Sequence, residues 1–136
     1  MEFNKLVPEL IVSNLEKSLN FYEKILNFKI EYERTENKFV FLSYNGSQIM
    51  IQEMTNKTKK TWISGKCEYP FGRGINLQIE TNELDRIVDS LKKNNWKIEM
   101  GPEKNVYRKD NEHIKMREIL VMDPDGYLLR FSQVIN

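Results

Sequence analysis

Apolar positions recur along this chain with two alternating periods, and each change of period marks a new element. Residues 6–12 alternate as a short strand, with Pro8 near its start, where proline is tolerated. Ser13-Asn14-Leu15-Glu16 fits a capping box, and Leu15, Leu19, Tyr22 and Leu26 then follow a helical period along one face. Asn27 can end that helix. Residues 28–34, 38–44 and 48–52 read as three strands. The Asn45-Gly46 pair between the last two is a hairpin signal, because a type I′ turn needs positive φ at both central residues.

The second half repeats this order. Residues 75–79 alternate strictly, Asn82 can cap a helix with Leu84, Val88 and Leu91 inward, and strands follow at 96–100, 116–122 and 127–134. Leu10 and Ile79, Leu15 and Leu84, Leu19 and Val88, and Tyr22 and Leu91 are each separated by 69 positions. The pattern predicts an α+β fold in which a βαβββ module occurs twice in one domain. Module one covers 1–56, a connecting loop 57–73, and module two 74–136. The segments 54–73 (Trp62, Tyr69, Phe71) and 105–114 (Tyr107, Arg108, His113) read as irregular.

The alternation also sorts residues by face. Ile75, Leu77 and Ile79 are expected on the helix side, leaving Asn76 and Gln78 on the other; Leu10 and Val12 likewise leave Glu9 on the face away from the helix. Gln48, Met50 and Gln52 share a face. Asp123-Pro124-Asp125-Gly126 is a turn in which proline fixes φ and glycine tolerates φ > 0. As a four-residue loop it would pair Val121 with Leu128, Ile119 with Arg130 and Arg117 with Ser132. That register puts Arg117 and Arg130 on one face. A half-buried face avoids such charges unless they pair with each other's counter-charges or meet a ligand.

Composition narrows the function. The length of 136 residues suits one domain, and a net charge of +1 gives no global attraction to nucleic acid. The basic cluster Lys57, Lys59 and Lys60 reads as a solvated loop. Cys67 is the only cysteine, so an intrachain disulfide is impossible. No apolar run is long enough to span a bilayer, and the N-terminus lacks a signal-like apolar stretch, so a cytoplasmic protein is expected. Gly72-Arg73-Gly74 is too short for a phosphate loop.

The paired modules resemble the glyoxalase/bleomycin-resistance/extradiol-dioxygenase superfamily, also called vicinal oxygen chelate proteins. The resemblance rests on Val12-Ser-Asn-Leu-Glu-Lys-Ser-Leu-Asn-Phe-Tyr22, Tyr69-Pro-Phe-Gly-Arg-Gly-Ile75 and Arg117-Glu-Ile-Leu-Val-Met-Asp-Pro-Asp-Gly126. It implies modules whose strands curl into a cup with the helices outside, a ligand on the concave face, and a homodimer. Metalloenzymes of this superfamily bind a divalent cation through His, Gln or Glu from several strands. Their ligand positions fall here on Val7, on Gln52 or Glu53, on Gly74 and on Arg130. Valine and glycine offer no ligand, and a guanidinium repels a dication. His113, the lone histidine, falls in a polar segment. The expectation is no metal and no cofactor, closest in pattern to the metal-free bleomycin-resistance-like branch.

Two functions follow. The first is a metal-free protein sequestering an anionic or neutral organic molecule, with Arg130, Arg117, Gln52, Glu53, Glu9, Asn76, Gln78, Trp62 and Tyr107 as ligand-binding residues. Trp62 and Tyr107 would stack and the polar groups orient. Bleomycin, a cation, fits poorly against arginines. The alternative is a glyoxalase-like lyase or isomerase with an atypical or lost metal site, using Glu53 or Glu9 as general base on a small carbonyl compound. The expected partners are a small molecule and a second copy of the chain, with no nucleic acid or membrane.

Overall fold

Strands form at each alternating segment and assemble into two four-stranded sheets of identical order, β1-β4-β3-β2 and β5-β8-β7-β6. The structure is a computed structural model describing residues 1–135. The chain divides into two units, Met1–Phe71 and Gly72–Asn136, each of which is described by itself. No helix among the described residues is long and apolar enough to cross a membrane.

The first unit runs β1 (Glu9–Val12), α1 (Leu15–Leu19), β2 (Lys29–Arg34), β3 (Phe39–Tyr44), β4 (Ser47–Glu53) and α2 (Asn56–Thr61). β1 pairs parallel with β4, and β2 to β4 form an antiparallel meander. Asn45 and Gly46 have φ of 49° and 84°, and Tyr44 pairs with Ser47, so the two-residue type I′ hairpin forms as its sequence demands. Asn14, rather than Ser13, caps α1, accepting from the Lys17 N–H at 2.9 Å. A π-helical stretch, Asn20–Ile25, continues α1, with the Leu26 N–H donating to the Phe21 carbonyl. This wider turn rotates the buried face. Phe21, Tyr22, Ile25 and Leu26 fill the core, while Leu15 and Leu19 are only half-buried.

The second unit runs β5 (Asn76–Glu80), α3 (Leu84–Lys93), β6 (Ile98–Lys109), β7 (Glu112–Met122) and β8 (Leu128–Val134). Ile79, Leu84, Ile87, Leu91, Ile119, Val121, Leu129 and Phe131 are all buried between α3 and its sheet. Each such side chain contributes about 1.5–3 kcal/mol through apolar burial. Ile75, expected on the helix side, precedes β5 and is exposed.

Two segments that read as irregular contain regular structure, although residues 62–73 hold no helix or strand. Residues 56–61 form α2 because Thr55 and Thr58 cap each other reciprocally, a box with threonine where glutamate is usual. Residues 105–114 belong to the long β6–β7 hairpin, turned at Asp110 with φ of 53°. Their charged composition hid the pairing. Gly101 allows the irregularity between Met100 and Glu103: its φ is 87°, and a Cβ there would collide with the Glu118 carbonyl oxygen.

The closing hairpin differs from expectation by one residue. Met122 pairs with Leu128, Leu120 with Arg130, Glu118 with Ser132 and Arg117 with Gln133. The loop has five residues because the Asp123 carboxylate accepts from the N–H groups of both Asp125 and Tyr127, each at 2.9 Å. Tyr127 is thereby held in the turn and leaves the ladder. Arg117 and Arg130 consequently lie on opposite faces, a correction to the sequence reading.

Candidate functional site

In the first unit, α1 lies against β4 and covers the sheet face bearing Leu10, Val12, Val40, Leu42, Ile49 and Ile51. The other face carries Glu9, Met50, Gln52, Phe39, Phe41, Tyr32 and Arg34. Tyr32 and Arg34 reach it only because β2 shifts register between Ile30 and Tyr32, which reverses the alternation. On this side lies a cavity of about 420 Å³ lined by Glu9, Arg34, Phe39, Gln52, Lys57 and Trp62, among others. Trp62 ends α2 and is 62% exposed. Three residues chosen from sequence, Glu9, Gln52 and Trp62, therefore meet.

Burial raises the Glu9 pKa, opposed by the positive charge of Arg34. The Gln52 amide donates to the Asn37 carbonyl at 3.2 Å. The Arg34 guanidinium stacks 3.9 Å from the centroid of the buried Phe39 ring. A larger hollow, about 510 Å³, adjoins Cys67, Met54, Lys59 and Ile63, but it offers neither a carboxylate nor an aromatic ring.

Glu53 stands apart from Gln52. It is on the helix side, accepting from the Leu15 N–H at 3.0 Å and from Lys38 Nζ at 2.7 Å. Those bonds, Lys38 foremost, lower its pKa despite partial desolvation. It caps α1 and holds Lys38, so it is no general base facing the cavity. Gln133 repeats the arrangement, accepting from the Leu84 N–H of α3 at 2.9 Å.

In the second unit, the sheet face opposite α3 bears Asn76 and Gln78 on β5, Arg130 and Ser132 on β8, Glu118 on β7, and Asn105 and Tyr107 on β6. Asn76 and Gln78 are exposed, with Gln78 alongside Arg130. Glu118 is fully buried and accepts from Tyr107 Oη, Ser132 Oγ and Asn105 Nδ2. Burial alone would raise its pKa, but those three donors and the Arg130 charge outweigh it and the net shift is downward. The same hydrogen bond to Glu118, with desolvation, raises the Tyr107 pKa. Arg117 is on the opposite face, with its Nη1 2.6 Å from Asp85 Oδ1 of α3. Arg117 is thus a surface ion pair with the helix.

Arg34, Phe39 and Glu118 were missed as site residues. The bulge in β2 hid Arg34, and the one-residue slip put Glu118 on the wrong face. A glutamate inside the apolar run from Met116 to Met122 was the available signal.

The donor set does not suit a divalent cation. Arg130 extends a permanent cation beside Glu118, 3.8 Å from its carboxylate. No group of three His, Cys, Asp or Glu side chains among the described residues is placed to ligate one.

The fold has many solved relatives. A virulence protein from Salmonella typhimurium matches with a TM-score of 0.66 at 20% identity, covering 99% of this chain and 100% of that one. A hypothetical protein from S. aureus matches with a TM-score of 0.68 at 20% identity over 98% and 95% of the two chains. The fosfomycin resistance protein FosX from Listeria monocytogenes matches with a TM-score of 0.58 at 23% identity over 96% and 91%. At these identities the likeness concerns the fold. The sequence itself matches the model of the Glyoxalase/Bleomycin resistance protein/Dioxygenase superfamily over residues 3–131, nearly its whole length, and the chain belongs to that superfamily.

Proposed function

We propose that this protein binds a small organic molecule, anionic or neutral, without a divalent metal. The supporting observation is the convergence of Glu9, Gln52, Trp62 and Arg34 on one cavity of about 420 Å³. That volume lies within the range of small-ligand pockets, and its lining is more polar than usual, with Phe39 and Trp62 as the aromatic walls. A rigid aromatic wall supplies contact area, while a few polar groups set orientation.

The test is a thermal-shift screen of a diverse metabolite library against the purified protein, with hits measured by titration calorimetry. A hit should bind one-to-one, with affinity unchanged by chelator and about tenfold weaker in Trp62→Ala, the order expected for losing one stacking contact. Binding that disappears with chelator and returns with added metal would refute the metal-free reading.

Glu9 favours a second reading. A desolvated carboxyl with a raised pKa, facing a cavity, has the character of a general base. In that case a small carbonyl compound would be turned over, and Glu9→Gln would abolish turnover while retaining binding.

A further inference from the structure

Arg34 closes β2 and faces Phe39 across the Thr35–Asn37 turn. Its guanidinium lies over two rings, 3.9 Å from the Phe39 centroid and 5.8 Å from that of Tyr32. Phe39 is 2% exposed, so this platform is fixed. Among the described residues the guanidinium makes neither a hydrogen bond nor an ion pair; its one charged neighbour is Glu9, through space. A cation held by its flat face keeps its in-plane N–H groups for another partner. The indole N–H of Trp62 and the carboxyl of Glu9 also have no hydrogen-bond partner among the described residues.

The charges around the cavity narrow the guest. Lys38 is committed to Glu53 at 2.7 Å. Arg34 and Lys57 remain, against Glu9 and Glu36. That balance is even, so a doubly charged phosphate would leave two negative charges in excess and a single carboxylate only one. A single carboxylate spreads one charge over two oxygens at the spacing of a guanidinium edge, giving two parallel charge-assisted bonds. The exposed Trp62 ring then calls for a flat body on that carboxylate.

We infer that the cavity takes an aromatic monocarboxylate, its carboxylate on Arg34 and its ring against Trp62. This rests on the binding function proposed above and names the class of its ligand.

Naphthoate, naphthamide and cyclohexanecarboxylate, titrated calorimetrically into the full chain, separate the two contributions. Naphthoate should bind about tenfold or more tighter than naphthamide, since the amide cannot form the paired charged bonds. Cyclohexanecarboxylate should also bind more weakly than naphthoate, because its saturated ring has no flat aromatic face to stack. Arg34→Gln should bring naphthoate down to the naphthamide level and leave naphthamide unchanged, with folding checked by thermal melting. The amide comparison needs no variant and stands even if Arg34→Gln misfolds. Equal affinities for acid and amide, or naphthoate binding indifferent to Arg34→Gln, would overturn the carboxylate assignment. So would failure of all three probes while other library members bind, leaving the binding function intact. Failure of every library member would overturn both.

Discussion

Arg130 and Glu118 face each other across neighbouring strands, Nη1 3.8 Å from Oε2, yet arginine is the weakest of the partners that glutamate has. Tyr107, Ser132 and Asn105 all donate to the buried carboxylate, whereas Arg130 Nε has no hydrogen-bond partner. Neutral donors therefore hold the charge in place, and the arginine adds a longer-range attraction.

Glu118→Gln should accordingly destabilise the protein by about 3 kcal/mol, as it leaves Arg130 without a counter-charge and forces one amide N–H₂ among existing donors. Arg130→Met should cost about 1 kcal/mol, because the three neutral donors remain. Urea denaturation of both variants checks this order; a larger loss in Arg130→Met would refute it. The pH dependence has a definite sign. The folded pKa of Glu118 is depressed, so its contribution is complete above the unfolded carboxylate pKa and is lost as pH falls through the folded value. Glu118→Gln should show a shallower acid limb.

Glu53 and Gln133 hold equivalent places, each accepting from the first N–H of the helix in its own unit. Glu53→Ala and Gln133→Ala should each lose about 1 kcal/mol, the usual worth of an N-terminal cap. Glu53→Ala should lose slightly more, since Lys38 is released as well. Chemical denaturation measures both, and a neutral effect at either position would remove that residue's capping role.

The repeat was legible in the sequence because strand alternation, helical period and the Asn45-Gly46 turn are local properties. The shared strand order of the two sheets follows from them. The site was less legible because its faces depend on single-residue events. The bulge after Ile30 carries Arg34 to the side of Phe39, and the Asp123 carboxylate draws Tyr127 into the turn. Each event reverses a parity on which every later assignment depends. In matching registers, Glu9 and Gln78 correspond, as do Phe39 and Glu118. One unit offers its arginine an aromatic ring and the other a carboxylate, a divergence that periodicity does not record.

Asp123 carries the hairpin register through its two backbone bonds and is 2% exposed. Asp123→Ala should cost about 2–3 kcal/mol by orphaning two N–H groups at a buried turn. Asp123→Asn retains an acceptor oxygen and should recover much of that loss. Thermal melting compares them; equal losses would mean that the charge, rather than the hydrogen-bond geometry, fixes the turn.

Glu9 should behave in the opposite sense to Glu118. Its folded pKa is raised, chiefly by burial, so the folded state prefers the protonated form. The stability associated with that preference is complete below the unfolded carboxylate pKa and is lost as pH rises through the folded value. At neutral pH the ionised carboxylate is therefore a liability to the fold, moderated by Arg34. Glu9→Gln removes the charge while keeping the shape, and it should raise the melting temperature at pH 7 with little effect at pH 4. Because Glu118→Gln lowers stability at neutral pH, the two variants should move in opposite directions in the same melting series. A fall in melting temperature for Glu9→Gln at neutral pH would show that the Arg34 charge outweighs desolvation and that Glu9 is held as a structural anion.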